Sequence, residues 1–396
     1  MKTGRRSDAF VVLSSRRAFE AFTGPVPAAL RDRYVFLKPR RSVRVLAALA
    51  QARLVISQSY FRPEINRFVF AARRRGVPTL LLVDGPLEWT NVHTNPGRTR
   101  AGAEAARALH QPIVHDAVAT IGPAQTRFIG NRNAGRGITY LSYANRRIRT
   151  SATATAASDS ATASAPAPGA SSDPRIGSRF PPEFDFLLTT ARTAAFDARE
   201  RADLERALVA CARALASGGY RILVRIFDEG LREAVRAVVP GARFEVSTPF
   251  VDALRACRCV IGTPSSVLLE AMIHRRPTAI LVFRDAPLLH PTGWLIGGFA
   301  DWQATFASML ARDPARMALQ DEVLRENVAE QDFFEALEAV VASGGLAVPR
   351  PLDDLDLAFE NRVLHGLLGW RARLLAPILG LRSESRPGRP SSPRTP

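Results

Sequence analysis

The sequence has few cysteines and no long apolar segment. Its three cysteines, Cys211, Cys257 and Cys259, are too few for a disulfide framework and lack the further ligands of a zinc site. The apolar segment near the N-terminus, residues 10–13, is too short for a secretion signal. The 46% hydrophobic and 23% charged content is too polar for a polytopic membrane protein. We therefore expect a cytoplasmic protein whose cysteines are reduced and mostly buried.

Several motifs of other enzyme and binding classes are also missing. No glycine-rich fingerprint follows a predicted strand, which argues against NAD or FAD binding. No Asp-x-Asp pair follows a strand, and His110 and His115 are not backed by further ligands, so we expect no catalytic metal. Neither a helix-turn-helix nor an RNA-binding aromatic signature stands out, so no specific nucleic-acid partner is expected. We predict no resident cofactor, with a nucleotide-sugar acting as substrate.

The chain carries an excess of positive charge. Lysine and arginine number 54 against 37 aspartates and glutamates, which gives a formal charge of +17. The basic residues are spread along the chain, so the charge favours anionic partners such as nucleotide phosphates, anionic lipid or nucleic acid without indicating one surface. A coding bias towards alanine and arginine explains this composition equally well.

Low-complexity segments divide the chain. Residues 151–178 are rich in Ala, Ser, Thr and Pro, and the segment after Arg382 is basic and rich in Pro and Ser, so neither can bury enough apolar surface to fold. On either side of the first segment, short apolar stretches alternate with segments of helical periodicity. The predicted strands are residues 10–13, 34–37, 54–57, 79–83 and 118–121 before it, and residues 184–188, 221–226, 244–246, 259–261 and 278–282 after it.

This alternation predicts an α/β protein of two Rossmann-like domains that face each other across a cleft. A chain of 396 residues is long enough to bury two cores. The predicted organisation is an N-terminal Rossmann-like domain at 1–150, a disordered linker at 151–180, a C-terminal Rossmann-like domain at 181–350, a C-terminal helix at 351–382 and a disordered basic tail at 383–396.

The most informative segment begins at Cys259 and reads CVIGTPSSVLLEAMIHRRPTAIL. A short buried strand ends at Gly262, a polar turn follows, and Ser265 or Ser266 caps a helix whose free N–H groups suit a phosphate. Glu270 lies one turn further along this helix, where its carboxylate can accept hydrogen bonds from ribose hydroxyls. The alternative is an ordinary capped helix with no ligand.

This segment resembles the carboxyl-terminal donor-binding domain of glycosyltransferases with the GT-B fold. The shared pattern is a small polar turn, an apolar pair, Glu-Ala, and then a basic residue before proline. The resemblance implies that Thr263, Ser265 and Ser266 contact the donor phosphate and that Glu270 binds the ribose. It is strongest over residues 184–282, and the first domain matches by pattern alone.

The implied function is that of a metal-independent glycosyltransferase of bacterial surface polysaccharide biosynthesis. Such an enzyme moves a sugar from a nucleotide-activated donor, bound by the C-terminal domain, to a cell-surface glycan or lipid-linked precursor bound by the N-terminal domain. Alternatives within the same fold are a nucleotide-sugar epimerase and a CDP-glycerol-type phosphotransferase. A non-catalytic anion-binding protein is a further alternative, because diffuse charge alone does not exclude it.

Two other strand ends in the second half supply candidates for the donor site. The stretch FDFLLTTART, residues 184–193, enters a polar turn in which Thr190 and Thr193 offer hydroxyls and Arg192 offers a charged fork. Arg225 ends the next predicted strand, where base or phosphate contacts lie in such enzymes.

The first half offers candidates for a general base. The strand LLLVD ends at Asp84, and Glu88 and His93 follow it closely. Each can take a proton from an acceptor hydroxyl once burial adjusts its pKa. The alternative is that Asp84 is a turn residue and Trp89 a core residue.

The C-terminal segment offers a candidate membrane contact. Residues 355–381 interleave leucines, Phe359 and Trp370 with arginines, a pattern typical of an amphipathic helix on an anionic membrane. Such a helix would place the protein peripherally at the inner face of the membrane. The alternative is a terminal helix that packs on the first domain, because Pro377 interrupts the apolar stripe.

Overall fold

The computed structural model describes residues 8–38, 42–49, 51–60, 62–88, 92–93, 109–148, 182–283, 291–298 and 301–361. The predicted linker at 151–180 and the predicted tail at 383–396 lie outside these residues. Only the first part of the predicted helix at 351–382 is described.

The first domain is built on a parallel sheet. Its strands are β1 Phe10–Val12, β2 Tyr34–Phe36, β3 Leu54–Ser57, β4 Thr79–Leu82, β5 Ala117–Thr120 and β6 Thr139–Ser142. They are hydrogen-bonded in the order β2-β1-β3-β4-β5-β6. Strands β1, β3, β4 and β5 are buried throughout, as expected for a parallel sheet covered by helices on both faces.

Helices cover both faces of this sheet. They are α1 Arg16–Thr23, α2 Ser42–Leu49, α3 Pro63–Arg74 and α4 Pro123–Arg132, with a 3-10 helix at Ala28–Arg33. Helices α2 and α3 pack Val45 and Phe68 on one face, whereas α1 packs Phe19 on the other. The alternation of short apolar strands with amphipathic helices therefore produces the layers that the sequence predicts.

The second domain repeats this architecture with a different strand order. Its strands are β7 Phe184–Thr189, β8 Ile222–Arg225, β9 Arg243–Phe244, β10 Cys257–Gly262, β11 Thr278–Leu281 and β12 Trp294–Ile296. All pairs are parallel, in the order β12-β11-β10-β7-β8-β9. Counted from β7, this is the doubly wound Rossmann order. Its helices are α5 Ala198–Ser217, α6 Glu229–Val238, α7 Phe250–Ala256, α8 Ser266–Ile273 and α9 Trp302–Leu310.

The predicted fold class is confirmed, because the structure consists of two six-stranded parallel sheets with flanking helices. Two strands that the sequence pattern misses, β6 and β12, lie at sheet edges. β6 is partly exposed and reads TYLS. An edge strand has a neighbour on one side only and does not need the continuous apolar run that reveals a central strand.

After the second sheet the chain returns to the first domain. This part contains α10 Pro314–Asn327, α11 Phe333–Ala342 and α12, residues 354–361. Phe333 packs edge-on against Phe19 with ring centroids 5.5 Å apart. The N–H of Ala329 donates to the carbonyl of Ile121 at 2.7 Å, so the link between α10 and α11 crosses the carboxyl end of β5. The predicted range 181–350 thus includes a helix that packs on the first domain.

Candidate functional site

The strand order of the second domain creates a crevice between β7 and β10. These neighbours are parallel, with Gly262 opposite Thr189, and the chain leaves them towards opposite halves of the sheet. In open α/β sheets, ligands bind at the carboxyl ends of the strands at such a switch point. The motifs that the sequence singles out, the turn after Thr189 and the turn after Gly262, are therefore brought together by the topology.

Hydrogen bonds fix these two turns to each other. The N–H of Ala191 donates to Thr263 Oγ1 at 2.8 Å, and the N–H of Thr263 approaches the Thr189 carbonyl at 3.3 Å. Thr189 Oγ1 donates to the Arg225 carbonyl at 3.0 Å, which ties in the end of β8. Thr263 is fully buried and its hydroxyl is engaged, so it shapes the crevice.

Gly262 is a site residue that the sequence analysis did not select. A Cβ atom at this position would lie 2.9 Å from Leu268 Cδ2 and 3.1 Å from Thr189 Cγ2. Because these contacts are too close, only glycine lets α8 pack against the end of β10. The signal was a glycine as the last residue of an apolar strand, which often marks a close backbone approach.

The N-terminus of α8 faces this crevice. Ser265 is the N-cap residue, in an extended conformation, and its side chain does not cap the helix. Ser266 is the first helical residue and is half-buried. The N–H groups of Ser266 and Val267 have no intrahelical carbonyl partner, whereas that of Leu268 donates to the Ser265 carbonyl at 3.2 Å. The helix dipole adds positive potential. This end of α8 is suited to bind an anion.

Three buried polar atoms at the crevice have no hydrogen-bond partner among the described residues. They are Thr190 Oγ1, Ser265 Oγ and Arg225 Nη1. Thr190 is 1% exposed and Arg225 is 7% exposed. Buried polar groups in folded proteins are nearly always paired, and an unpaired one costs about 1–3 kcal/mol. Their arrangement at a switch point indicates that a ligand completes them.

Arg225 lies in a cluster of charged and aromatic side chains. Burial lowers the pKa of its guanidinium, Arg192 lowers it further, and Glu245 and Glu270 raise it. Phe227 lies beneath both Arg192 and Arg225, at 5.3 and 5.1 Å from the ring centroid. Phe227 and the guanidinium groups offer flat and cationic surfaces next to the anion-binding helix, and Glu270 offers an acceptor.

A second aromatic ring beside Arg225 was missed by the sequence analysis. The Arg225 guanidinium lies 6.0 Å from the ring centroid of Phe250, which begins α7. The available signal was an aromatic residue directly after a polar turn.

A pocket of about 430 Å³ adjoins this cluster. Arg192 and Thr193 line it, together with Arg201, Asp197 and Asp228. Both aspartates are N-caps: Asp197 accepts from the N–H of Glu200 at 2.8 Å and Asp228 from that of Leu231 at 2.9 Å. Thr193 is exposed and lies in this pocket, on the β7–β8 side of the switch point.

Asp84 follows β4 at the carboxyl edge of the first sheet. It is accessible to solvent but surrounded by protein on most sides, and this burial raises its pKa, whereas Arg147 lowers it. A carboxylate with a raised pKa at this edge is suited to accept a proton from a substrate.

Buried side chains fix the backbone of this loop. Tyr143 Oη donates to the Val83 carbonyl at 2.8 Å, Asn145 Nδ2 to the Asp84 carbonyl at 3.2 Å and Gln125 Nε2 to the Gly85 carbonyl at 2.8 Å. Residues that follow two other strands, β5 and β6, therefore fix the backbone that carries Asp84.

The structure does not bring His93 close to Asp84. His93 Nε2 lies 3.3 Å from Arg132 Nη2, and Arg132 is the last residue of α4. Helix α4 starts at the carboxyl edge, and ten residues of helix span about 15 Å. Glu88 is buried, with its carbonyl accepting from the N–H of Val92 at 2.9 Å.

Two searches concern classes that the sequence analysis set aside. Among the described residues, no three His, Cys, Asp or Glu side chains lie together as a possible metal site. Within the same ranges, no helix is long and apolar enough to span a bilayer.

Comparisons with known proteins give a clear result for the fold alone. No family model matches the sequence, and no curated protein matches it significantly. Among solved structures, a protein from Listeria monocytogenes named as a UDP-N-acetylglucosamine 2-epimerase has a TM-score of 0.50 at 13% identity. That match covers 87% of this chain and 98% of the other. The chain has the GT-B fold.

Two further matches have lower TM-scores and carry no argument. The wall teichoic acid polymerase TagF, as its H548A variant, gives a TM-score of 0.47 at 12% identity and covers 86% of this chain and 90% of its own. TarM gives 0.42 at 13% identity, and the match covers 75% of this chain and 57% of TarM. These likenesses add no argument about activity, which has to come from the site itself.

Proposed function

We propose that the chain is a metal-independent glycosyltransferase. It moves a sugar from a nucleotide-activated donor on the second domain to a cell-surface glycan or lipid-linked precursor on the first. The observation that carries this proposal is the set of unpaired buried groups on Thr190, Ser265 and Arg225, which converge with the N-terminus of α8 at the switch point.

In this proposal, donor binding follows from the chemistry of the crevice. The diphosphate accepts hydrogen bonds from the first turn of α8, from the hydroxyls of Thr190 and Ser265 and from Arg225. Glu270 interacts electrostatically with Arg225 and accepts hydrogen bonds from ribose hydroxyls. Phe227 provides a flat surface for a base or sugar ring.

The transfer step needs a base and a stabilised leaving group. The Asp84 carboxylate takes the proton of the acceptor hydroxyl as the acceptor oxygen bonds to the anomeric carbon. The bond from that carbon to the phosphate oxygen breaks, and its electron pair goes to the leaving nucleoside diphosphate. The helix dipole and Arg225 stabilise that charge without a metal ion. No resident cofactor is needed for this step.

The first test is nucleotide binding, measured by thermal shift and calorimetry with UDP, CMP, CDP, GDP and dTDP at moderate salt. One preferred nucleotide is expected. Glu270→Gln and Arg225→Met should each weaken it by about tenfold, the size expected for losing one charge-assisted hydrogen bond. The matched control is Glu229→Gln, an exposed glutamate on α6. Equal effects of Glu270→Gln and Glu229→Gln, with all binding lost in salt, would indicate a non-catalytic anion-binding protein instead.

The second test separates binding from catalysis. Asp84→Asn should keep the nucleotide affinity and abolish release of the nucleoside diphosphate from the matching sugar donor, because only the proton acceptor is removed. Conversion of the free nucleotide-sugar to its epimer, with no acceptor present, would instead identify an epimerase.

A further inference from the structure

The carboxyl edge of the first sheet has an uneven charge. The segments that leave β1, β2 and β6 are residues 14–20, 37–38 and 143–148. They contain five exposed bases, Arg16, Arg17, Lys38, Arg146 and Arg147, and one acid, Glu20. We call these five bases the basic patch. Asp84 follows β4 at the same edge, and Arg147 of the patch interacts electrostatically with it.

Two members of the basic patch lie where helix stability disfavours them. Arg16 and Arg17 are the first two residues of α1, and the first turn of this helix contains no acid. Cations at a helix N-terminus oppose the helix dipole and slightly destabilise the helix. Helices α3, α5 and α6 instead carry Glu64, Glu200 and Glu229 in their first turns. Arg16 forms an ion pair with Glu20 one turn further along at 2.8 Å, so Arg17 is the residue that does not serve the folding of α1.

Side-chain contacts connect this helix with Asp84. The Arg147 guanidinium lies 4.7 Å from the ring centroid of Phe22 on α1 and interacts electrostatically with Asp84. Gln58 Nε2, after β3, donates to the Ala18 carbonyl of α1 at 3.3 Å. The start of α1, the end of β3 and the segment after β6 therefore form one continuous surface around Asp84.

At the opposite edge of the same sheet, several bases are held in ion pairs. There, Arg53 pairs with Asp8 at 3.2 Å, and Arg136 pairs with Asp353 at 2.9 Å. In contrast, Arg17 and Lys38 form no ion pair with any described residue. These two unpaired cations lie at the edge that carries Asp84.

We propose that the acceptor is anionic and carries a phosphate or diphosphate group that binds to the basic patch. This inference rests on the proposed function, because it takes the first domain as the acceptor side. Guanidinium groups bind phosphate oxygens through paired, charge-assisted hydrogen bonds. When Arg17 and Arg147 hold this phosphate, the neighbouring hydroxyl of the acceptor lies at Asp84. The cations also attract the anionic acceptor from a distance, and salt weakens this attraction.

The test measures binding of geranyl diphosphate and glycerol 3-phosphate while the nucleotide found in the first screen is saturating, so that the donor crevice is filled. Geraniol and glycerol are the uncharged counterparts. The variants are Arg17→Glu and Arg147→Glu. The matched control is Arg213→Glu, an exposed arginine on α5 of the second domain that changes the net charge equally. Vesicles of phosphatidylglycerol form a separate arm.

Both patch variants are expected to weaken binding of the phosphate probes by about tenfold or more. Arg213→Glu is expected to weaken it by less than about twofold. Nucleotide affinity should stay the same in all three variants. Arg17→Glu should also be slightly more stable than the wild type, because it places an acid at a helix N-terminus. This expectation separates lost binding from lost folding.

Three results would overturn the proposal: equal weakening by Arg213→Glu, equal binding of the uncharged counterparts, or binding to vesicles alone, which would make the patch a membrane contact. A wild type that binds a nucleotide but neither phosphate probe would refute the anionic acceptor and leave the glycosyltransferase proposal intact. A wild type that binds no nucleotide would refute that earlier proposal.

Discussion

Two buried arginines, Arg73 and Arg225, have opposite surroundings. Arg73, at the amino edge of the first sheet, pairs with Asp116 at 3.2 Å and with Asp356 at 3.0 Å. Arg225, at the carboxyl end of the second sheet, has one guanidinium nitrogen, Nη1, buried without a hydrogen-bond partner among the described residues. The same side chain thus serves the fold where its charge is paired within the chain. At a switch point of a parallel sheet, it is suited to bind a ligand.

The surroundings of Arg73 form a closed network that joins distant parts of the chain. Its members are Arg73, Asp116, Arg136, Arg350, Asp353 and Asp356. Asp356 is fully buried and contacts three of these arginines, and it lies on α12. The network therefore fixes α12 on the first domain. The described part of the predicted C-terminal helix packs on protein at this point, with Phe359 in the same core.

The largest expected effect comes from breaking this network. Asp356→Ala leaves buried arginines without a counter-charge and should lower the free energy of unfolding by about 3–5 kcal/mol. Asp8→Ala, which removes the partner of the exposed Arg53, should cost less than about 1 kcal/mol. Denaturant unfolding of both variants measures this difference. Similar losses in the two would mean that the buried network does not support the fold.

The next effect concerns pH and the first domain. Burial lowers the pKa of His110 and of His115 to about 3, so the folded state holds both rings neutral. The stability they contribute is complete above the ordinary histidine pKa and is lost as the pH falls below it. Between pH 6.5 and pH 5 each should lose about 2 kcal/mol.

Denaturant midpoints measured across this range check the pH prediction. The test variant is His110→Asn, because asparagine tolerates the positive φ of 60° at that position. It should reduce the slope of the unfolding free energy against pH by the contribution of one proton. An unchanged slope in this variant would exclude His110 as a source of acid sensitivity.

A smaller effect compares two adjacent threonines. Thr189→Val removes a hydroxyl that donates to the Arg225 carbonyl and should lower the free energy of unfolding by about 1 kcal/mol. Thr190→Val removes a hydroxyl with no partner and should leave stability unchanged or higher, while weakening nucleotide binding. Thermal unfolding and calorimetry on both variants test this reversal. A destabilising Thr190→Val with normal nucleotide affinity would make Thr190 a structural residue.

The smallest expected effect is on Asp84. Because burial raises its pKa, the stability it contributes is complete below the ordinary aspartate pKa and is lost as the pH rises through the raised value. Asp84→Asn removes this dependence and should raise Tm by about 1 °C at pH 7.5 but not at pH 3.5. A lower Tm at pH 7.5 would mean that the carboxylate supports the fold and is not held there at a cost.

Much of the candidate site in the second domain could be anticipated from the sequence because its parts are local. A polar turn after an apolar strand predicts a helix N-terminus, and Ser265 and Ser266 lie there in the structure. Thr190, Arg192 and Arg225 follow from the same logic at neighbouring strand ends. Phe250 and Gly262 were not predicted as site residues, because their roles depend on what packs against them, namely Arg225 and Leu268.

The candidates for the base were less predictable. Asp84, Glu88 and His93 are close in sequence, but the structure leaves Asp84 at the edge, buries Glu88 and sets His93 against Arg132. Sequence spacing after a strand does not fix the direction of a loop. That direction is set by contacts from Gln125, Tyr143 and Asn145, which come from other strand ends.

The sequence by itself determined the fold class, the positions of the central strands and a helix end suited to bind an anion, because alternating apolar segments and helix caps are local physical signals. The tertiary structure alone decided which charges are paired, which buried polar groups have no partner among the described residues and which candidate carboxylate stays exposed. Pairing depends on residues far apart in the chain, as Arg73 and Asp356 are, and only the packed chain brings them within hydrogen-bonding distance.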